Sequence, residues 1–94
     1  MNKIERVDAA LKGAAVDRVP ISFWGHSYLK EWSAEELAEA MLENYHRYDW
    51  DYMKVNPRAS YHVEDWGVKL ERTADPNHDQ RFIDWPVHEP GDWR

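Results

Sequence analysis

Six tryptophans, five tyrosines and two phenylalanines have to be accommodated by a chain of 94 residues. Each such ring removes roughly 150–250 Å² from water when buried and needs a partner surface of similar size. A domain of this length hides only about 60–65% of the surface its unfolded chain exposes. The ring content therefore predicts a core that this chain alone does not complete.

The charge pattern narrows the partners. The formal net charge is −6, and each half of the chain carries six basic and nine acidic side chains. No basic stripe exists, which argues against nucleic acid and anionic membrane surfaces. Nor is there an apolar run of the roughly 18–20 residues that a membrane helix needs, and Met1 to Leu11 lacks the apolar centre of a signal peptide. Cysteine is absent, so disulfides, thiolate metal ligands and a cysteine nucleophile are excluded. A soluble cytoplasmic protein is the expectation.

Local signals order the chain as helix, strand, helix, strand, short helix, hairpin and helix start. Asn2 with Glu5 forms a capping pair, and Ile4, Val7 and Leu11 recur at helical spacing up to Gly13. Val19 to Trp24 reads as a short strand with Pro20 tolerated near its start. Ser33 with Glu36 opens the second helix, whose face is Leu37, Met41, Tyr45 and Tyr48, while Glu35, Glu36, Glu39 and Glu43 form a solvated side. Tyr52 to Val55 is a second strand, and Ala59 to Trp66 a short helix ending at Gly67. Val68–Arg72 and Arg81–Asp84 alternate on either side of the turn-rich Asp75–Asp79, predicting a β-hairpin. Pro90 to Arg94 reads as a helix start capped by Asp92. Alternating strands and helices imply an α/β fold with parallel strands and right-handed crossovers. Two parallel strands do not make an independent sheet, so the expectation is the opening of a larger structure, cut at a helix.

The stretch "YMKVNPRASYHVEDWG", residues 52–67, places an amide, an arginine, tyrosines, a histidine and a tryptophan where a strand ends. Together with "RVDAALKGAAVDRVPISFWG" it resembles the N-terminal portion of the uroporphyrinogen decarboxylase family, which also holds methyltransferases acting on corrinoid proteins and coenzyme M. The resemblance rests on the Gly13-x-x-x-Asp17-Arg18-x-Pro20 opening, the aspartate before the second strand, and Glu64-Asp65-x-Gly67 after it. It implies a (β/α)₈ barrel, a fold of about 250 residues of which this chain is the first third or less, with chemistry at the C-terminal strand ends. On that implication Trp24, Gly25 and His26 follow strand one, and Asn56, Arg58, Tyr61 and His62 follow strand two. His26, Asn56, Arg58 and Tyr61 become the candidate substrate-binding residues.

The sequence also departs from the family pattern. Decarboxylases of this family carry an Arg-Gln-Ala-Gly-Arg-Tyr-Leu run after the first strand, whose arginines contact substrate carboxylates. Here Tyr28-Leu29 matches its end, while Phe23 and Ser27 stand where the arginines belong, and Arg58 stands where the decarboxylase has its essential aspartate. Bidentate arginine contacts supply affinity and orientation together, so these exchanges bear on the decarboxylase reading.

Each candidate has a plainer reading. Arg58 can grip a carboxylate or phosphate, or pair with Glu64 or Asp65. Asn56 can contact substrate or cap the following turn. His26 can act as a general acid or bond to backbone. Trp66 and Trp85 read as core or hairpin packing, and His62 with Glu64 is too sparse for a metal site.

The leading expectation is a segment of a tetrapyrrole decarboxylase, a lyase that uses no cofactor, inactive as this isolated chain. The alternatives are a segment of a zinc-dependent corrinoid or coenzyme M methyltransferase, a stand-alone binding module, or a truncated reading frame. The methyltransferase branch binds zinc through a later His-x-Cys and a distant Cys that this sequence lacks. The implied partner is a small tetrapyrrole or corrinoid-linked substrate in the full barrel, with self-association of the isolated piece.

Overall fold

The computed structural model describes residues 1–93. Its regular elements are α1 (Lys3–Leu11), α2 (Ala34–Tyr48), α3 (Tyr61–Glu64), β1 (Lys69–Glu71), β2 (Arg81–Asp84) and a 3-10 turn over Pro90–Trp93. The fold is mixed helix and strand, with one two-stranded antiparallel sheet. In place of the expected final helix start capped by Asp92 there is this 3-10 turn, with Asp92 inside it and bonded back to the His88 and Glu89 N–H groups; the last expected residue, Arg94, lies outside the described residues. The chain divides into two compact units. One comprises Met1–Gly25 and Ala38–Asn56, the other His26–Leu37 and the chain from Pro57 on.

In the first unit, α1 starts on the expected capping box: the Asn2 side chain accepts from the Glu5 N–H, and Glu5 accepts from the Asn2 N–H. Gly13, at φ 66°, ends it. The apolar stripe is not what α1 buries. Ile4 and Leu11 are 81% and 83% exposed, whereas Arg6 is buried. Four charge-assisted or carbonyl bonds to the Arg6 guanidinium, described below, fix which side of the helix turns inward.

Helix α2 begins with the Ser33 hydroxyl accepting from the Glu36 N–H at 3.2 Å. Leu37, Met41 and Tyr45 are half-buried as expected, and all four glutamates of the acidic side are exposed. Tyr48 departs from that face: it is exposed and stacks on Trp50 at 5.8 Å. The helix stops at Asp49, which takes a left-handed φ of 52° without being glycine. Lys3 steadies it with an ion pair at 2.6 Å.

The expected strands Val19–Trp24 and Tyr52–Val55 do not form; neither stretch has regular secondary structure. The backbone bond that ties this region runs from the Asp51 N–H to the Ile21 carbonyl at 2.8 Å. A parallel ladder needs neighbouring strands and cover on both faces, and Pro20 removes a donor at the start. Without them Val19, Phe23, Trp24 and Val55 stay exposed.

In the second unit the expected short helix contracts to α3, entered through Ser60 at φ 64° and closed by Gly67 at φ 97°. The expected hairpin is present. Leu70 pairs with Phe82 and Glu71 with Arg81, with an irregularity between Lys69 and Leu70. Its connection turns on Asp75, whose carboxylate accepts from the Asn77 N–H at 2.9 Å and meets the His78 ring at 2.7 Å. Trp66, expected in core or hairpin packing, is exposed, and Trp85 is half-covered by stacking on Phe82. Among the described residues the one buried apolar side chain is Ala59, while Arg6, Glu31, Asp51, Asn56 and Gln80 are buried polar ones.

Candidate functional site

The second unit is organised around a buried carboxylate. Residues 28–32 form a turn, tightened by the Lys30 N–H donating to the Ser27 carbonyl at 2.7 Å. This folds Glu31 back onto the start of the segment. Its Oε1 accepts from the Ser27 N–H at 2.9 Å and lies 2.7 Å from His26 Nδ1. Its Oε2 accepts from the Ala59 N–H at 2.9 Å. The side chain is fully shielded from water, so these three partners are what makes a buried carboxylate tolerable.

Glu31 thereby joins the loop after residue 25 to the loop after residue 56. It orients the His26 ring, which stacks on Tyr28 with centroids 5.4 Å apart. A carboxylate that holds one imidazole nitrogen fixes the ring for proton transfer at the other. That is the chemistry this arrangement can support.

Arg58 takes its plainer role. It pairs with Glu64, and its guanidinium lies 4.1 Å from the Trp32 ring centroid. Arg72 approaches the same ring at 5.5 Å. Tyr61 opens α3, exposed and edge-on to His62 at 5.5 Å. Of the four candidates, His26, Arg58 and Tyr61 belong to this unit, with His26 and the loop carrying Arg58 linked through Glu31. Asn56 is buried in the first unit.

The first unit holds a second polar centre, made largely by the motif residues. Asp51, fully shielded, accepts from Arg6 Nη1 at 2.6 Å, from Arg18 Nη1 and Nη2 at 2.5 and 2.9 Å, and from the Ile21 N–H at 2.8 Å. Arg6 also grips Asp17 through Nε and Nη2 at 2.7 and 2.8 Å and the Met1 carbonyl at 2.8 Å. Two cations face two anions, and each is bonded to more than one partner. Arg18 and the Ile21 N–H hold the Asp51 carboxyl down at about 2, and the Arg6 guanidinium holds Asp17 well below the usual carboxylate range. Asp17 and Asp51 in turn raise Arg6 above its ordinary value. Groups so firmly ionised are poor proton carriers at neutral pH; this centre is a clamp.

Glu31 and Trp32 were not among the candidate residues. The signal for Glu31 was the spacing His26-x4-Glu31 within an aromatic loop. Among the described residues no three His, Asp or Glu side chains converge as a metal site requires, and no helix is long and apolar enough to cross a membrane. Comparison with protein-family models, with curated proteins and with solved structures yields no match to this chain.

Proposed function

We propose that this chain supplies the opening strand–helix units of a uroporphyrinogen decarboxylase-like (β/α)₈ barrel. It would act on a tetrapyrrole or corrinoid-linked substrate only as part of that larger fold. One observation carries the reading. The two stretches read as the first two barrel strands are joined by Asp51 and Ile21, yet Val19, Phe23 and Val55 remain exposed. Residues of parallel strands are covered on both faces in a completed α/β fold, so these side chains await neighbours. The clamp adds support, since Asp17, Arg18 and Asp51, which carry the resemblance, are three of its four charged side chains, the fourth being Arg6.

In this reading His26 is the group at the strand-one end able to handle a proton, with Glu31 as its positioning residue. Arg58, occupied by Glu64 and Trp32, orders the strand-two loop. The residues present offer no zinc ligand set, so no step is assigned to zinc.

Amide hydrogen exchange and sedimentation test the proposal. In the isolated chain, amides of 22–24 and 53–55 should exchange rapidly, the chain should self-associate through its exposed rings, and uroporphyrinogen should not be decarboxylated. Adding the complementary part of a family barrel, from the third strand on, should protect those amides in a one-to-one complex. A monomer that melts sharply above about 60 °C and ignores the complement would instead identify a stand-alone binding module.

A further inference from the structure

Four of the six tryptophans have a ring face already occupied. Lys54 Nζ lies 3.4 Å from the Trp24 centroid, and the Arg58 and Arg72 guanidinium groups approach Trp32. Tyr48 stacks on Trp50, and Phe82 stacks on Trp85 at 4.5 Å with the planes 7° apart. Among the described residues no ring or cation covers the other two, Trp66 and Trp93, which are 78% and 79% exposed. These two line a single cavity of about 370 Å³ together with Pro86, Val87 and Asp92.

The cavity is formed by local structure within the second unit. Trp66 is fixed just beyond α3, where its N–H donates to the Val63 carbonyl at 3.2 Å and Gly67 closes the turn. Trp93 ends the 3-10 turn, which Asp92 anchors: its Oδ2 accepts from the His88 N–H at 2.8 Å and from the Glu89 N–H at 3.1 Å. Those two backbone donors lower the Asp92 pKa, so it is anionic at neutral pH. Its Oδ1 has no hydrogen-bond partner among the described residues.

Two tryptophans and an aspartate lining one cavity select by charge. The face of an aromatic ring is electrostatically negative and attracts a cation, most strongly for tryptophan. Asp92 adds a full negative charge, and no described lining residue supplies a positive one. Pro86 and Val87 complete an apolar wall that a strongly hydrated ion does not fill. The volume lies in the range of small-ligand sites. We propose that Trp66, Trp93 and Asp92 form a binding site for a small organic ammonium ion bearing alkyl groups. The proposal is independent of the barrel reading.

Choline and 3,3-dimethylbutan-1-ol, which replaces the quaternary nitrogen by carbon, test it on the full chain, followed through the indole N–H resonances. Choline should shift two of the six indole signals saturably, with a dissociation constant on the order of millimolar, and the neutral alcohol should bind at least about tenfold more weakly. Trp66→Ala and Trp93→Ala should each remove one shifting signal and weaken binding about fivefold or more. Both rings are largely exposed, so neither change should disturb the fold, which circular dichroism checks. Asp92→Asn keeps an oxygen to accept from the His88 and Glu89 N–H groups while removing the charge, and should also weaken choline. Equal binding of the neutral alcohol, unsaturable shifts spread over all six indoles, or choline affinity unchanged by both tryptophan substitutions would overturn the proposal.

Discussion

Asp51 and Ile21 exchange two bonds: the Asp51 N–H donates to the Ile21 carbonyl at 2.8 Å, and the Asp51 carboxylate accepts from the Ile21 N–H at 2.8 Å. The same carboxylate neutralises Arg6 and Arg18. One side chain therefore sets the separation of two stretches and the inward face of α1.

Asp51→Asn tests that joint role. Asparagine keeps the shape and one acceptor but removes the counter-charge of Arg18 and one of the two carboxylates that Arg6 grips. Breaking a shielded ion pair from one side is strongly destabilising, and in a chain of this size the melting temperature should fall by on the order of 10 °C. An unchanged melting curve would remove Asp51 from the organising role.

Acid should reproduce part of this loss. Asp51 and Asp17 both have carboxyl pKa values below the usual 3.8, with Asp51 at about 2. A depressed folded-state value means that the unfolded chain binds protons first, so the stabilisation is complete above pH 4. It is lost as the pH falls from about 4 through about 2. Thermal unfolding followed from pH 7 downward should be insensitive to these two groups until about pH 4 and then decline. The decline should be shallower for Asp51→Asn.

Glu31→Gln places a donor where the carboxylate accepted from two backbone N–H groups on different oxygens. One of the Ser27 and Ala59 amides must then face an NH₂ group in a buried setting, at a cost of about 1–3 kcal/mol. Hydrogen exchange should accelerate at Ser27 or Ala59 and at their turn neighbours, while the Asp51 amide keeps its protection. Uniform acceleration across the chain would show that Glu31 supports the whole fold and not the His26 loop.

Arg58→Ala removes an ion pair and a ring contact together. Both partners are partly shielded, and the loss should be about 1 kcal/mol, or about 4–8 °C in melting temperature. A double-mutant cycle with Glu64→Gln should show coupling, since the second change has less to remove once the first is made. Additive effects would free Arg58 for a role toward substrate.

Elements governed by local chemistry were legible in the residues. The Asn2/Glu5 box, the Ser33 cap, the acidic side of α2, Gly67 as a stop and the Asp75 turn each involve partners within a few positions. Short-range geometry determines them whatever the rest of the chain does. The hairpin follows from the same kind of signal, alternation on either side of a turn.

Tertiary structure decided the rest. Short, mostly apolar runs at 19–24 and 52–55 state a willingness to be strands, but a strand exists only where neighbours complete its ladder, and here they do not. The stripe Ile4, Val7 and Leu11 has helical spacing, yet Arg6 turns inward because Asp17 and Asp51, distant in sequence, converge on it. Glu31 carries no local signal of burial until the Ser27 and Ala59 amides are brought to it. Capping residues act across three or four positions, whereas the burial of a charge depends on which partners the folded chain gathers, and no short stretch of sequence contains that information.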